Sequence, residues 1–321
     1  MIFYPNHLLP SLSNIHDMYF TTLPDHAKPG FDEALHFSHF KKHNIIFNAT
    51  SSFSHCNNHV GCLSFKTVLS GEEWYGIDNH RLAIRPGKFL ILNDDQRYSC
   101  SIDHGEKVRN LSFFFKKEFA ADVFRDTLFN STALLDNPFN GGEKAPEFFQ
   151  TLYTITPALQ QQITTLIHML DIRGYDPVMM DGQLVFLLRY LIHTQQSTTR
   201  LTDHVNAVKA STRKEIYKRL CIVKDILQSS YMESPDLDML SRLSCLSVPQ
   251  LVRQFKSVFH ATPHQYLMQV KLEHAASILK QTNKPIHEIT WRCGFENVSA
   301  FCRAFKSAYG MQPLNFRKSV Q

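Results

Sequence analysis

Between Gly61 and Phe115 apolar and polar residues alternate over short stretches, and each stretch ends in turn-forming residues. Leu63, Phe65 and Thr67 alternate with their neighbours before "SGEEWYG" turns the chain, and Leu82 and Ile84 alternate before Pro86-Gly87. Phe89 to Leu92, Tyr98 to Ile102, and Leu111, Phe113 and Phe115 complete the series. Side chains on a strand point to opposite faces with a period of two, so this rhythm predicts five or more short strands in an antiparallel sandwich or small barrel. Phe65, Leu82, Ile84, Phe89, Leu111 and Phe113 are the expected inward positions, enclosing a mostly apolar pocket.

Beyond Phe115 the spacing becomes helical. Leu159, Ile163, Leu166, Ile167 and Leu170 fall on one face after Pro157, Gly174 to Pro177 break the run, and Leu184, Leu187, Leu188 and Leu191 form a second stripe. These predict an antiparallel helix pair packed on the strands or on a second copy of the chain. From Gln195 to Thr212 the chain is rich in Ser, Thr and Gln, as in a linker.

The remainder reads as helix throughout and carries an internal repeat at a spacing of about 50 residues. Leu237 and Leu240 precede Cys245-Leu246-Ser247, Leu251, Arg253, Phe255-Lys256-Ser257, Phe259 and Pro263. Ile286 and Ile289 precede Gly294-Phe295, Phe301, Arg303, Phe305-Lys306-Ser307, Tyr309 and Pro313. Each copy predicts a short helix, a tight turn and a longer helix. On the longer helices, successive residues advance by about 100°. Val248, Leu251, Phe255, Val258 and Phe259 therefore face inward, with Pro249, Gln250, Arg253, Lys256 and Ser257 outward. Phe301, Phe305 and Tyr309 face inward in the second copy, with Ser299, Ala300, Arg303, Lys306 and Ser307 outward. An apolar back with an Arg and a Lys at the same phase of two helices suits a pair of major-groove readers, because Arg can donate twice to guanine and Lys meets phosphate. The connecting helix from Pro263 to about Lys280 would span about 27 Å, near the roughly 34 Å between successive major-groove faces.

Charge sharpens this picture. Residues 213–321 hold 16 Lys/Arg and 8 Asp/Glu, a net of +8, whereas the preceding residues hold 18 and 21, a net of −3. A basic terminal third on a mildly acidic remainder is the footprint of a nucleic-acid-binding domain joined to something else. The proportions of apolar (43%) and charged (20%) residues are those of a globular protein, and at 321 residues they point to two domains. The first twenty residues lack a basic-led apolar run and no stretch is apolar enough to span a membrane, so the expected compartment is the cytoplasm, with no membrane partner. Seven scattered cysteines without a C-x-x-C pair argue for reduced thiols. His55, Cys56 and His59 in "HCNNH" lack the glutamate of a hydrolytic zinc motif.

The segment "LDMLSRLSCLSVPQLVRQFKSVFHATPHQYLMQVKLEHAASILKQTNKPIHEITWRCGFENVSAFCRAFKSAYGMQPLNFRK" resembles the DNA-binding domain of the AraC/XylS transcription regulators. The marks are Gly294-Phe295, Phe301, Arg303, Phe305, Lys306, Gly310, Pro313 and Arg317, with Pro263, Tyr266, Leu272, Glu273 and Ala275 in the connecting helix. Ser241, Cys245, His260 and Lys271 stand where the family usually has Ala, Gly, Gly and Arg. The resemblance implies that Pro249, Gln250, Val252 and Arg253, and Val298, Ser299, Cys302 and Arg303, contact bases and backbone of double-stranded DNA. Lys256 and Lys306 join them as phosphate contacts.

It also implies an α+β chain: a cupin-like β-barrel with a helical pair over residues 1–196, a linker at 197–212, and an all-α domain of two helix-turn-helix units at 213–321. The first domain would sense a small-molecule effector of unassigned site and form a homodimer. The whole would regulate promoters through RNA polymerase, as an activator, without cofactor or catalytic residues. Three other readings compete: a regulator governed by oligomerisation alone, a non-specific architectural DNA binder, and a metal-dependent cupin enzyme fused to a DNA-binding tail. The enzyme reading needs several His on one metal, and "LNDDQRYS" supplies none.

Overall fold

Along the strand Ser64–Ser70, Phe65 and Leu69 turn to one side and Lys66 and Val68 to the other, and both sides are covered. The computed structural model describes residues 18–24, 30–78, 80–103, 105, 107–128 and 147–320. By compactness the chain divides into Met1–Thr198 and Thr199–Gln321.

The first unit is a two-sheet sandwich with helices on one outer face. Its strands are β1 (Tyr19–Phe20), β2 (Ile45–Ser51), β3 (Ser54–Val60), β4 (Ser64–Ser70), β5 (Glu73–Ile77), β6 (His80–Ile84), β7 (Lys88–Leu92), β8 (Arg97–Ile102), β9 (Val108–Phe114) and β10 (Tyr153–Thr154). One sheet has the order β1-β2-β9-β4-β7-β10 and the other β3-β8-β5-β6. All pairings are antiparallel except β1 with β2. The sheets do not close into the expected barrel, since no strand of one pairs with a strand of the other. They are held instead by a shared apolar layer that includes Val68, Tyr75, Ile77, Leu82, Ile84, Leu90 and Leu92.

Burial on both faces of the larger sheet corrects the expected pocket lining. Phe65, Phe89, Leu111 and Phe113 do not face the space between the sheets. They meet α3 (Pro157–Arg173) and α4 (Pro177–Leu201) through Leu159, Ile163, Leu166, Leu170, Leu184, Leu187, Leu188 and Leu191. The two leucine stripes are thus consumed within the chain, and a second copy cannot use them. The large apolar side chains that stay exposed on these helices, among the described residues, are Ile172, Val178 and Phe186. Thr156 starts α3 by accepting from the Leu159 amide, Pro157 opens its first turn, and Gly174 at φ 71° ends it. Helices α1 (Glu33–Lys42) and α2 (Lys117–Leu128) complete the unit.

The segment "SGEEWYG", expected as a turn, turns only at its start and then forms β5. Strands β2 and β3 also have no counterpart in the alternation pattern, for opposite reasons. Ile45 to Ala49 are buried in unbroken succession, so no polar face marks a strand. "SHCNNHV" lies at a sheet edge with a register shift between Cys56 and His59, and only those two side chains are buried.

The second unit contains α5 (Ala210–Ser229), α6 (Leu237–Ser244), α7 (Val248–Phe259), α8 (Pro263–Gln281), α9 (Ile286–Arg292), α10 (Val298–Tyr309) and α11 (Pro313–Val320). The Ser/Thr/Gln-rich stretch expected as linker is largely regular. Helix α4 continues through it to Leu201, a single 3-10 turn covers Thr202–His204, and α5 begins at Ala210. Its polar residues are engaged with backbone: Thr198 donates back to the Thr194 carbonyl within the helix, and the Gln195 amide bridges the Phe149 N–H and the Glu147 carbonyl of the irregular segment before β10.

Candidate nucleic-acid interface

Both halves of the repeat fold as helix-turn-helix units. In the first, Asp236 caps α6 by accepting from the Met239 amide. The turn runs through Cys245 in the left-handed region at φ 51°. In the second, the turn runs through Cys293 and Gly294, the latter at φ 68°, and Asn297 caps α10 through the Ala300 amide. Gly294 is required twice over, because a Cβ there would lie 2.7 Å from the Met232 carbonyl oxygen. Lys271 of α8 fastens this turn, donating to the Gly294 carbonyl at 2.6 Å and to Ser234 Oγ at 2.7 Å. Arg219 of α5 holds the other turn by donating to the Cys245 carbonyl at 3.1 Å.

Helix α8 separates the two units and is closed at its start by a reciprocal box, Thr262 with Gln265. Its 19 residues give it a length of about 28 Å. Leu272, Ala275, Ala276 and Leu279 pack against Phe301 and Phe305 of the second unit. Tyr266 meets Phe255 and Phe259 of the first at ring distances of 5.6 and 6.2 Å. The apolar backs of both reading helices are therefore anchored on one rod.

The front faces carry the expected residues. Pro249, Arg253 and Lys256 on α7, and Val298, Ser299, Arg303 and Lys306 on α10, are exposed, while Gln250, Val252 and Cys302 are half-buried. Burial pushes the Cys302 thiol up, so it stays protonated. Among the described residues, Arg253, Lys256, Arg303 and Lys306 have no hydrogen-bond or ion-pair partner. Neighbouring basic groups are engaged: Arg219 with Glu215, Lys284 and Arg292 with Glu288, and Arg317 with the Lys284 carbonyl.

Two residues of α7 play roles that helical phase alone does not reveal. Gln254 is buried and binds the Asn206 backbone at both ends of its amide. Ser257, although on the outward face, donates to the His204 carbonyl at 2.6 Å. The corresponding Ala304 cannot make the amide pair, and among the described residues α7 alone of the two longer helices is bonded to the segment that precedes α5. The sequence offered one signal, a Gln interrupting an otherwise apolar back.

In the first unit, His55 is exposed and His59 buried, so "HCNNH" does not converge. Among the described residues no group of three or more His, Cys, Asp or Glu is placed to hold a metal ion. No described helix is long and apolar enough to cross a membrane.

Residues 240–319 match the family described as a helix-turn-helix domain. The chain is 27% identical to the Msm operon regulatory protein of Streptococcus mutans over 254 residues, 79% of this chain and 83% of that protein. It is 28% identical to the probable transcriptional regulator LumQ of Photobacterium leiognathi over 98 residues, 30% of this chain and 40% of that one. The crystal structure of a probable AraC family transcriptional regulator from Rhodopseudomonas palustris, at 21% identity and a TM-score of 0.29, is covered over 94% of its length by 31% of this chain. The match thus spans less than half of LumQ but most of the Msm regulator.

Proposed function

We infer that the chain is a DNA-binding transcriptional regulator of the AraC type, its signature carried by the C-terminal helix-turn-helix domain. We propose that it reads sequence in two successive major-groove segments of one duplex. Helix α7 presents Pro249, Gln250, Val252, Arg253 and Lys256 to the first, and α10 presents Val298, Ser299, Cys302, Arg303 and Lys306 to the second. The observation that carries this is the pair of Arg and Lys side chains exposed at the same phase of two rod-mounted helices, without partners among the described residues. Arg253 and Arg303 are the principal base contacts. Lys256 and Lys306 neutralise phosphate.

The working division is a sensing domain at 1–196, a connecting segment at 197–212 and the DNA module at 213–321. In this reading the first domain binds a small effector and pairs two copies, so that linked modules raise operator affinity. The pairing surface would be the exposed side of α4, around Val178 and Phe186, because its leucine stripe is buried. The regulator acts as an activator that contacts RNA polymerase, in the cytoplasm, and performs no catalysis. Footprinting of the full chain on the promoter regions nearest its own gene tests this. The expected result is protection of two major-groove segments one helical turn apart on one face of the duplex. Uniform protection of unrelated DNA at the same protein concentration would overturn it.

A further inference from the structure

Part of the space between the two sheets is a cavity of about 60 Å3. Into it project Lys66 of β4 and Glu73 of β5, each only 3% exposed. They do not pair, because no nitrogen-to-oxygen contact within 4.0 Å links them. The Glu73 carboxylate is engaged elsewhere: it accepts from the Asn110 amide and is hydrogen-bonded to the Tyr75 hydroxyl, while Ser112 Oγ holds the other end of Asn110 at 2.9 Å. Lys66 Nζ has no hydrogen-bond acceptor among the described residues. It lies 3.4 Å from the centre of the Phe114 ring and 5.8 Å from that of Tyr98.

A buried ammonium costs several kcal/mol of lost hydration unless an anion or good acceptors replace the water. Ring faces recover only part of that. The thiols that face Lys66 cannot serve as counter-ions: burial pushes Cys62 up to about 12, and Cys100, hydrogen-bonded to Cys56, also lies well above the ordinary thiol range. Protonated thiols also make the cavity a poor redox or metal site. A neutral polyol would leave the ammonium's charge uncompensated. A carboxylate would complete it, and Phe47, Phe114 and Tyr98 offer apolar walls for the rest of such a molecule.

We propose that this cavity binds a small organic monocarboxylate, its carboxylate hydrogen-bonded to Lys66 Nζ and its apolar body against Phe47, Phe114 and Tyr98. This names the chemical class of the effector in the functional reading above, and rests on that reading only for its regulatory meaning. The volume has room for about four or five waters, so the ligand is compact, or only its head enters.

The test is calorimetry and thermal-shift titration of the full chain with straight, branched and aromatic monocarboxylates of two to about eight carbons, matched to the cavity, each beside its neutral amide, and with a set of monosaccharides. At least one acid should bind about tenfold or more tighter than its amide, as loss of one charge-assisted hydrogen bond implies. Lys66→Met and Lys66→Gln should abolish that preference, and circular dichroism on both variants shows that the loss is not unfolding. The inference is overturned if no acid binds, if acid and amide bind alike, if the preference survives in a folded Lys66 variant, or if sugars bind instead. Promoter binding measured on the same ligand-free preparation separates the outcomes, since failure there would strike the regulator reading and leave ligand binding standing.

Discussion

Gln254 and Asn206 form a closed amide pair, in which Gln254 Oε1 accepts from the Asn206 N–H at 2.9 Å and Gln254 Nε2 donates to the Asn206 carbonyl at 3.1 Å. The first reading helix is thereby fixed to the backbone that leads into its own domain. Gln254→Ala should leave both groups of Asn206 without those partners and destabilise the domain by about 1–3 kcal/mol. Denaturant unfolding checks the magnitude, and hydrogen exchange should show the Asn206 amide losing protection before the rest of α7.

The two turns predict effects of opposite sign. Cys245 occupies the left-handed region with an exposed side chain, so Cys245→Gly should stabilise the protein by about 0.5–1 kcal/mol through relief of backbone strain. Gly294→Ala should destabilise it by more than that, because its new methyl meets the Met232 carbonyl as well as the unfavourable φ. Melting temperatures of the two variants under one set of conditions decide the matter.

On DNA, Arg303→Ala should weaken operator binding by about 1–3 kcal/mol while sparing random DNA, and relax sequence preference at one position. Lys306→Ala should weaken both alike and lower the slope of log affinity against log salt by about 1. Competition titrations at several salt concentrations distinguish a base contact from a phosphate contact. Equal losses on both DNAs for both variants would return Arg303 to the role of a solvated helix residue.

The buried Lys66 makes stability depend on pH in a defined window. Burial pulls its ammonium from 10.5 down to about 8, against the lesser opposing influence of Glu73. A group whose folded pKa is depressed binds fewer protons in the folded state between about 8 and 10.5, so its contribution to stability rises with pH across that interval. Below it the desolvation penalty is present in full, on the order of 3 kcal/mol from the size of the shift. Lys66→Met should therefore raise the melting temperature of the ligand-free protein near neutral pH, by an increment that shrinks as the pH approaches 10. A variant that melts lower than the parent at neutral pH would mean that the ammonium has a structural partner.

Local pattern alone determined the second domain. Its repeat, helical phase, turns and charge are all encoded within short stretches, where the 100° advance per residue converts spacing directly into exposure. Arg253, Lys256, Arg303 and Lys306 were legible for that reason, as were Phe255, Phe301 and Phe305 behind them. In the first domain the strands that alternate were legible, as were the two leucine helices that follow. Only the tertiary structure decided which face of the larger sheet those helices would cover. It thereby turned Phe65, Phe89, Leu111 and Phe113 toward helices and left Lys66, Asn110 and Ser112 to face the space between sheets. A period of two says that neighbours point to opposite sides and is silent on what lies on each side, because burial is set by distant parts of the chain. For the same reason Gln254 reads as a solitary polar residue on an apolar back until Asn206, 48 positions away, is brought against it.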